Sequence, residues 1–297
     1  MAFTVHAEPP GQPVWTTDFA KVEESVTDLG HGIYVLSPNI RPLAGNTTVA
    51  VGTDGLIVVD TQFPQLYGKL RDKISGISPL PVKFVINTHH HADHAGGNEA
   101  FGKAGAVIIA EEHAVGHLVH PPKRADGTSA APMPAVGLPA ITYDGGGMVV
   151  RIESQTARLS RTAVPAHTDD DTIVVFPEAN VIATGDVFNS LLYPHIDATV
   201  GGSIDGMIAA VDQISALAND QTRIVPGHGP VSDKRGLAAY RAMLVTARDR
   251  ISKAKADGMS EKQVMDANLL RDLNDRWLLP GSPVAETFPA IVYRALK

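Results

Sequence analysis

The chain of 297 residues contains no cysteine. Disulfides are therefore excluded, and so is any thiolate ligand, so a bound zinc ion has to be held by histidine and carboxylate. No apolar run reaches the roughly 18 residues that a membrane-spanning helix needs. A surplus of positive charge is also missing: Lys and Arg number 25 against 32 Asp and Glu, for a formal net charge of −7. Nucleic acid is bound through a basic face that meets its phosphates, so nucleases and DNA-binding modules are disfavoured from the start. What remains is 44% hydrophobic and 19% charged, enough for one large layered domain or two ordinary ones with a well-buried core.

The N-terminal residues 2–10, AFTVHAEPP, resemble the tail of a secretory signal, because Val5-His6-Ala7 places small or β-branched residues where a signal peptidase reads them. The charged start and apolar core of such a signal are missing, and a plain leader is the alternative. The expectation is a leader over residues 1–28, either the remnant of an export signal on a periplasmic or secreted protein or, as the alternative, a plain leader on a cytoplasmic one, followed by one domain over 29–297.

Beyond the leader, residues 32–37 (GIYVLS) and 47–60 (TTVAVGTDGLIVVD) read as short strands separated by a Thr-Asp-Gly turn. Residues 66–77 carry apolar side chains at helical spacing, and the strand-like residues 82–86 follow. Residues 97–102 read as helix or turn, 106–110 (AVIIA) as a buried strand and 111–120 as another helix. Residues 121–139, with five prolines, form a loop or lid. A second sheet-building half begins with hairpin structure over 141–164 and continues with strands over 172–176 and 181–184. Ile204, Met207, Ile208, Val211, Ile214 and Leu217 then line one helix face, and Leu237, Tyr240, Leu244, Ala247 and Ile251 another. Ser260 and Gln263 open a further helix as a capping box. Strands and helices recur in both halves without a composition break, which predicts one domain of two packed sheets with helices outside.

Against this background one segment stands out. The stretch NTHHHADHAGG, residues 87–97, places four of the chain's 12 histidines and one aspartate in six consecutive positions. In an extended segment residues two apart point the same way, so His89 and His91 converge while His90 points away. Asp93 and His94 offer a second pair one short step on. Two pairs this close suggest two metals, and a catalytic zinc takes three protein ligands and leaves one position open, so further ligands are needed. Three later segments supply them where a strand run stops: AVPAHTD with His167, IATGD with Asp186 and IVPGHG with His228. Glycines beside Asp186 and His228 suit a backbone that turns sharply into a crowded site.

His-X-His-X-Asp-His, a lone His, Gly-Asp and Gly-His, in this order, resemble the metallo-β-lactamase fold superfamily over roughly residues 32–230. The resemblance implies a four-layer αββα sandwich of two mixed sheets, with a site for two zinc ions at one edge. It implies that His89, His91 and His167 bind the first zinc and that Asp93, His94 and His228 bind the second, with Asp186 either bridging both or binding the second alone. The implied chemistry is hydrolysis in which a metal-bound hydroxide attacks a carbonyl of a small-molecule substrate, with Asp93 both orienting it and relaying a proton to the leaving group. A non-catalytic metal-binding module is the alternative of another class. His90, His113, His117 and His120 match no ligand position. Asn189, Tyr193 and His195, in NSLLYPHID after the Gly-Asp loop, are candidates to reach substrate. Ser203, in GGSID, lacks the final glycine of a nucleophile elbow and reads as a helix N-cap.

The superfamily resemblance spans several chemistries, and local residues separate them. His91 stands where flavodiiron proteins carry glutamate, which favours zinc over a redox iron pair. Many dizinc β-lactamases have cysteine or serine where this chain has Asp186, and one subclass has a lysine where it has Asn189. The neutral amide gives up the charge-assisted bond to a lactam carboxylate, a role for which Arg41 is a substitute. Glyoxalase II-like thioesterases share Gly-Asp and add a helical, basic C-terminal part; residues 232–297 are helical in pattern and contain Lys and Arg. The Pro-rich loop and the apolar Leu191-Leu192-Tyr193 segment favour a β-lactamase-like hydrolase, with lactonase or thioesterase as the alternative.

Overall fold

The structure is a computed structural model, and it describes residues 18–39, 44–123 and 129–296. Seven strands build the first sheet in chain order: β1 (Glu24–Asp28), β2 (Ile33–Pro38), β3 (Thr47–Val51), β4 (Leu56–Val59), β5 (Val82–Ile86), β6 (Val107–Glu111) and β7 (Ile141–Tyr143). The first three pairings are antiparallel and the last three parallel. The second sheet has the order β12-β11-β10-β9-β8, from β8 (Met148–Ile152), β9 (Gln155–Arg161), β10 (Thr172–Phe176), β11 (Val181–Ala183) and β12 (Arg223–Val225). Its β11–β12 pair is parallel and the rest antiparallel.

Strand β4, LIVV, is buried along its whole length, as a central strand with both sheet faces covered is. One face of each sheet meets the other in a shared core that includes Ile33, Ile57, Val59 and Ile86 from the first, and Val150, Leu159, Val174 and Phe176 from the second. The outer face of the first sheet is covered by α1 (Tyr67–Ile77), through Leu70 and Ile74, and by the short helix α3 (Asn98–Lys103), through Phe101, which follows the single-turn α2 (Ala92–Ala95). Helix α4 (Glu112–Val119) follows β6. The outer face of the second sheet, with Ile173, Ile182 and Ile224, packs on α5 (Ile204–Leu217) and α6 (Lys234–Ala256) and, beyond them, on α7 (Glu261–Asp266), α8 (Arg271–Trp277) and α9 (Pro283–Ala295). The four layers are thus helix, sheet, sheet, helix, as the resemblance implies.

Several local expectations hold and others shift. Ser203 accepts the Gly206 N–H at 3.0 Å as the N-cap of α5, and Ser260 with Gln263 forms the capping box of α7. Residues 141–164 divide between the sheets: β7 joins the first and the β8–β9 hairpin the second, with the turn at Asp144–Gly147 marking the crossing. Of the stretch assigned to a leader, residues 1–17 lie outside the described residues, but Glu24–Asp28 pair with β2 as an edge strand of the first sheet. The alternation of β1 is hard to read because only Glu24 of its five residues is buried. In the Pro-rich loop, Met133 N–H donates to the Leu118 carbonyl and Gly137 lies against the Glu99 backbone, so residues 133–137 are docked on α3 and α4.

Topology brings one end of both sheets together. Parallel β4 and β5 end side by side, Val59 opposite Ile86, so Asp60 and the histidine-rich loop leave the sheet as neighbours. Parallel β11 and β12 end with Ala183 opposite Val225, which sets Asp186 beside His228. Strand β9 also ends here, Arg161 opposite Thr172 at the start of β10, and the connecting loop carries His167. The two sheets are tied at this end by Thr172 N–H to the Thr88 carbonyl at 2.7 Å, and by Asn46, whose side-chain amide donates to the carbonyls of Pro226 and Gly229 at 2.9 and 2.8 Å.

Candidate metal centre

All seven predicted ligands meet at this end of the sandwich, in two groups. His89, His91 and His167 form one and Asp93, His94, Asp186 and His228 the other, and within each group the donor atoms lie within 4.8 Å of one another. In the first, His91 Nδ1 is 3.0 Å from His167 Nε2. In the second, His94 Nε2 lies 3.4 Å from His228 Nε2, while Asp93 Oδ2 is 3.5 and 3.3 Å from the same two nitrogens. Asp186 stands between the groups: its Oδ1 is 3.2 Å from His94 Nε2 and 3.3 Å from His228 Nε2, and its Oδ2 is 3.7 Å from His167 Nε2. Of the two options open in the sequence, this placement favours the bridge.

The close approach depends on glycine. Gly185, at φ +52°, has Thr88 so near that a Cβ would sit 2.5 Å from its hydroxyl oxygen, and a Cβ on Gly227 would sit 1.9 Å from Asp186 Oδ1. Any larger residue at 227 displaces the shared carboxylate.

The groups differ in charge. Burial holds His89 well below the ordinary imidazole value, reinforced by the His94 and His167 rings. Burial also pushes His167 down to about 3, against the pull of Asp186. In the second group burial acts the same way but is overridden: Asp186, Asp93 and Asp60 raise His94 well above its ordinary value, and Asp186 with Asp93 raises His228 to about 9. The carboxylates respond in kind. Burial would raise both, yet His94 and His228 hold Asp93 at about 2 and Asp186 well below the usual range. Two ionised carboxylates and five imidazoles in a buried pocket are a demanding arrangement without a cation.

These residues fit metal ions. His89 Nε2 is fully buried and has no hydrogen-bond partner, an expensive state for a lone pair unless something accepts it. Its ring orientation is set from behind, because Nδ1 lies 3.2 Å from Thr88 Oγ1, which in turn donates to Asp60 Oδ2 at 2.7 Å. Asp60 Oδ2 also accepts from His94 Nδ1 at 2.8 Å, His91 Nε2 meets Asp197 Oδ2 at 3.2 Å, and His167 Nδ1 meets the His195 carbonyl at 3.0 Å. The rings of His89, His91, His94 and His167 thus each present one nitrogen to their group and bond an oxygen with the other, the arrangement that orients metal-ligating imidazoles; in His228 the outward Nδ1 is buried without a partner. An all-nitrogen and oxygen donor set of this kind suits zinc.

The substrate candidates fare unequally. His195 is exposed, with its ring 6.1 Å from that of His91 and 5.8 Å from that of His167, at the rim of the first group. Asn189 directs Oδ1 to the Leu191 and Leu192 N–H groups at 3.0 and 3.1 Å, so it caps its own loop. Tyr193 is not brought to the site: it is 1% exposed, stacks on Phe288 at 4.5 Å and donates to Asn274 Oδ1 at 3.0 Å. The apolar Leu191-Leu192-Tyr193 segment is drawn into the core under α8 and α9 because that is where its apolar area is buried. Arg41 lies outside the described residues. His113, half exposed, pairs with Glu111, whereas His90 and His117 are gathered with Asp170. Sequence reasoning missed Asp60, Thr88 and Asp197. Asp60 carried a signal, since it ends an apolar strand run as Asp186 and His228 nearly do; Thr88 and Asp197 carried none.

Comparison with known proteins agrees with this geometry. Residues 40–228 match the Metallo-beta-lactamase superfamily. The Beta-lactamase-like protein 2 homolog of Caenorhabditis elegans is 26% identical over 218 residues, 72% of this chain and 64% of that protein, so the chain spans a little under two thirds of that relative. Among solved structures, a metallo-beta-lactamase from Pontibacter korlensis is 18% identical with a TM-score of 0.61, over 75% of this chain and 99% of that one. The stereoselective inverting sec-alkylsulfatase Pisa1 from Pseudomonas sp. is 18% identical with a TM-score of 0.68, over 92% of this chain and 50% of that one. With the family match covering well over half of its length and every ligand of the pattern converging at one sandwich edge, this chain belongs to the metallo-beta-lactamase superfamily.

Proposed function

We propose that this protein is a hydrolase that holds two zinc ions and cleaves a small carbonyl substrate, with opening of a β-lactam ring as its reaction. The observation that carries the reading is Asp186 set between two donor groups, one carboxylate oxygen toward each. His89, His91 and His167 would hold one zinc, and Asp93, His94 and His228 the other. Zinc bound there supplies Lewis acidity, which lowers the pKa of water toward about 7 and polarises a carbonyl.

The chain's own residues supply placement and proton handling. Asp197 and the His195 carbonyl fix the rings of His91 and His167, and Asp60 fixes those of His89 and His94. Asp93 is about one-fifth exposed at its side chain, so its carboxylate reaches both the donor group and the cleft, where it can take a proton and pass it to a leaving nitrogen, oxygen or sulfur. His195 stands on the open side, positioned to contact substrate.

A second reading follows from Asn189. Its oxygen is committed to the loop and it offers no charge to a lactam carboxylate, which favours an uncharged lactone or a thioester. The test is kcat/KM of the zinc-loaded protein on a chromogenic β-lactam, a lactone and a thioester in parallel, with His167→Ala to control for contaminating activity. The expected result is a zinc-dependent value of about 10⁴ M⁻¹s⁻¹ or more on at least one of them, with the lactam identifying the first reading. Asp93→Ala should lower it at least about 100-fold and remove one zinc. No zinc-dependent turnover of any of the three by fully loaded protein would overturn the hydrolase, and unchanged turnover of Asp93→Ala would overturn the role of Asp93.

A further inference from the structure

We infer that His90, His117 and Asp170 form a third site, separate from the two groups above, that binds one divalent cation of the zinc class. The three residues come from different parts of the chain: His90 from the loop after β5, His117 from the last turn of α4, and Asp170 from the loop between β9 and β10. Their donor atoms all lie within 4.8 Å of one another. His90 Nδ1 is 2.8 Å from Asp170 Oδ1, and the rings of His90 and His117 are 4.3 Å apart.

Two buried atoms point to a missing ligand. His90 is 7% exposed and Asp170 1%, and both His90 Nε2 and Asp170 Oδ2 are fully buried with no hydrogen-bond partner. A simple ion pair leaves both orphaned, and each orphan costs about 1–3 kcal/mol. A cation accepts lone pairs from both residues. The outer ring is prepared as well: His117 Nε2 donates to Asp169 Oδ1 at 2.7 Å, which leaves Nδ1 as the lone-pair nitrogen and supplies the carboxylate–histidine support common to metal ligands. Two imidazoles and one carboxylate are a donor set zinc uses, with bonds of about 2.0–2.2 Å. The donors are loosely gathered rather than closed, and binding would exchange the His90 Nδ1–Asp170 Oδ1 hydrogen bond for bonds to the ion.

A cation here would tie α4 to the histidine-rich loop and to the loop that carries His167. Since His90 sits between His89 and His91, it would also stiffen the backbone that presents the first group. None of its three ligands belongs to the other two groups.

The test is zinc stoichiometry by native mass spectrometry after reconstitution with zinc chloride, with circular dichroism to check folding. The wild type should hold three ions, His117→Gln two, and His167→Gln should retain the ion at the third site while the first group weakens. A wild type that stops at two ions, or a folded His117→Gln that still holds three, overturns the site. Should His117→Gln not fold, wild-type crystals loaded with three equivalents of zinc decide the matter: an anomalous peak at the zinc edge among His90, His117 and Asp170 sustains it, and no peak there overturns it.

Discussion

Replacing Asp60 by asparagine should weaken metal binding in both groups although Asp60 touches neither ion. Its buried carboxylate accepts from Thr88 N–H and Thr88 Oγ1, both at 2.7 Å, and from His94 Nδ1 at 2.8 Å. The Thr88 hydroxyl, having given its proton to Asp60, accepts from His89 Nδ1. One carboxylate therefore fixes the tautomer of a ligand in each group, leaving His89 Nε2 and His94 Nε2 as the metal-facing lone pairs. Asparagine keeps a single acceptor oxygen, which can serve Thr88. Its amide N–H₂ would then face His94 Nδ1, favouring the tautomer with the proton on Nε2, where the metal binds.

Loss of such a supporting partner lowers metal affinity by about 10–100-fold, equivalent to about 1.4–2.8 kcal/mol. Asparagine is the right probe because Asp60 has φ +64°, a left-handed conformation that asparagine tolerates and alanine does not. The assay is competition for zinc against a chromogenic chelator at pH 7.5, with circular dichroism confirming the fold. An affinity within threefold of wild type in a folded Asp60→Asn protein would refute the tautomer argument.

Acidification should empty the second group first. His228 is raised to about 9 and His94 well above its ordinary value by the carboxylates around them, so a metal has to displace protons there and affinity falls as pH drops below about 9. His89 and His167 are held low and stay neutral, leaving only His91, raised by Asp197 against the effect of burial, to compete in the first group. Zinc affinities measured at pH 6, 7 and 8 should show the steeper slope for the ion of the second group, the one lost in Asp93→Ala; equal slopes for both would contradict this. Tyr193→Phe should leave kcat and KM unchanged while costing about 0.5–1.5 kcal/mol of stability from the lost bond to Asn274. A rise in KM without loss of stability in urea unfolding would return Tyr193 to the substrate side.

The candidate ligands, which the structure gathers at one edge, were legible in the sequence because each is a polar residue placed just past an apolar strand run, and because histidine is scarce elsewhere in the chain. Strand-end placement is a local property, and so is the alternation that sends His90 away from His89 and His91. What was not legible depends on which loops meet. Tyr193 has the sequence neighbourhood of a cleft residue, but the partner that claims it, Phe288, lies far along the chain. Asp197 and Asp170 look like ordinary loop acids until their loops fold back on His91 and His90. Strand β1 shows four exposed residues out of five, so its hydrophobic signal is too weak to separate an edge strand from a leader.

The two principal groups are unlike by construction, and the shared carboxylates make that difference consequential. Three imidazoles bring no charge, so an ion bound by them keeps its own and is the stronger Lewis acid. In the second group Asp93 brings a full negative charge, which strengthens attraction for an ion and weakens its acidity. Asp186 and Asp60 belong to both: the first through one oxygen toward each group, the second through Thr88 toward His89 and directly toward His94. Occupancy of one group therefore alters the charge and the ring tautomers seen by the other. The pair should therefore titrate as one unit, and the apparent pKa values of the proposed activity should belong to the pair rather than to any single residue.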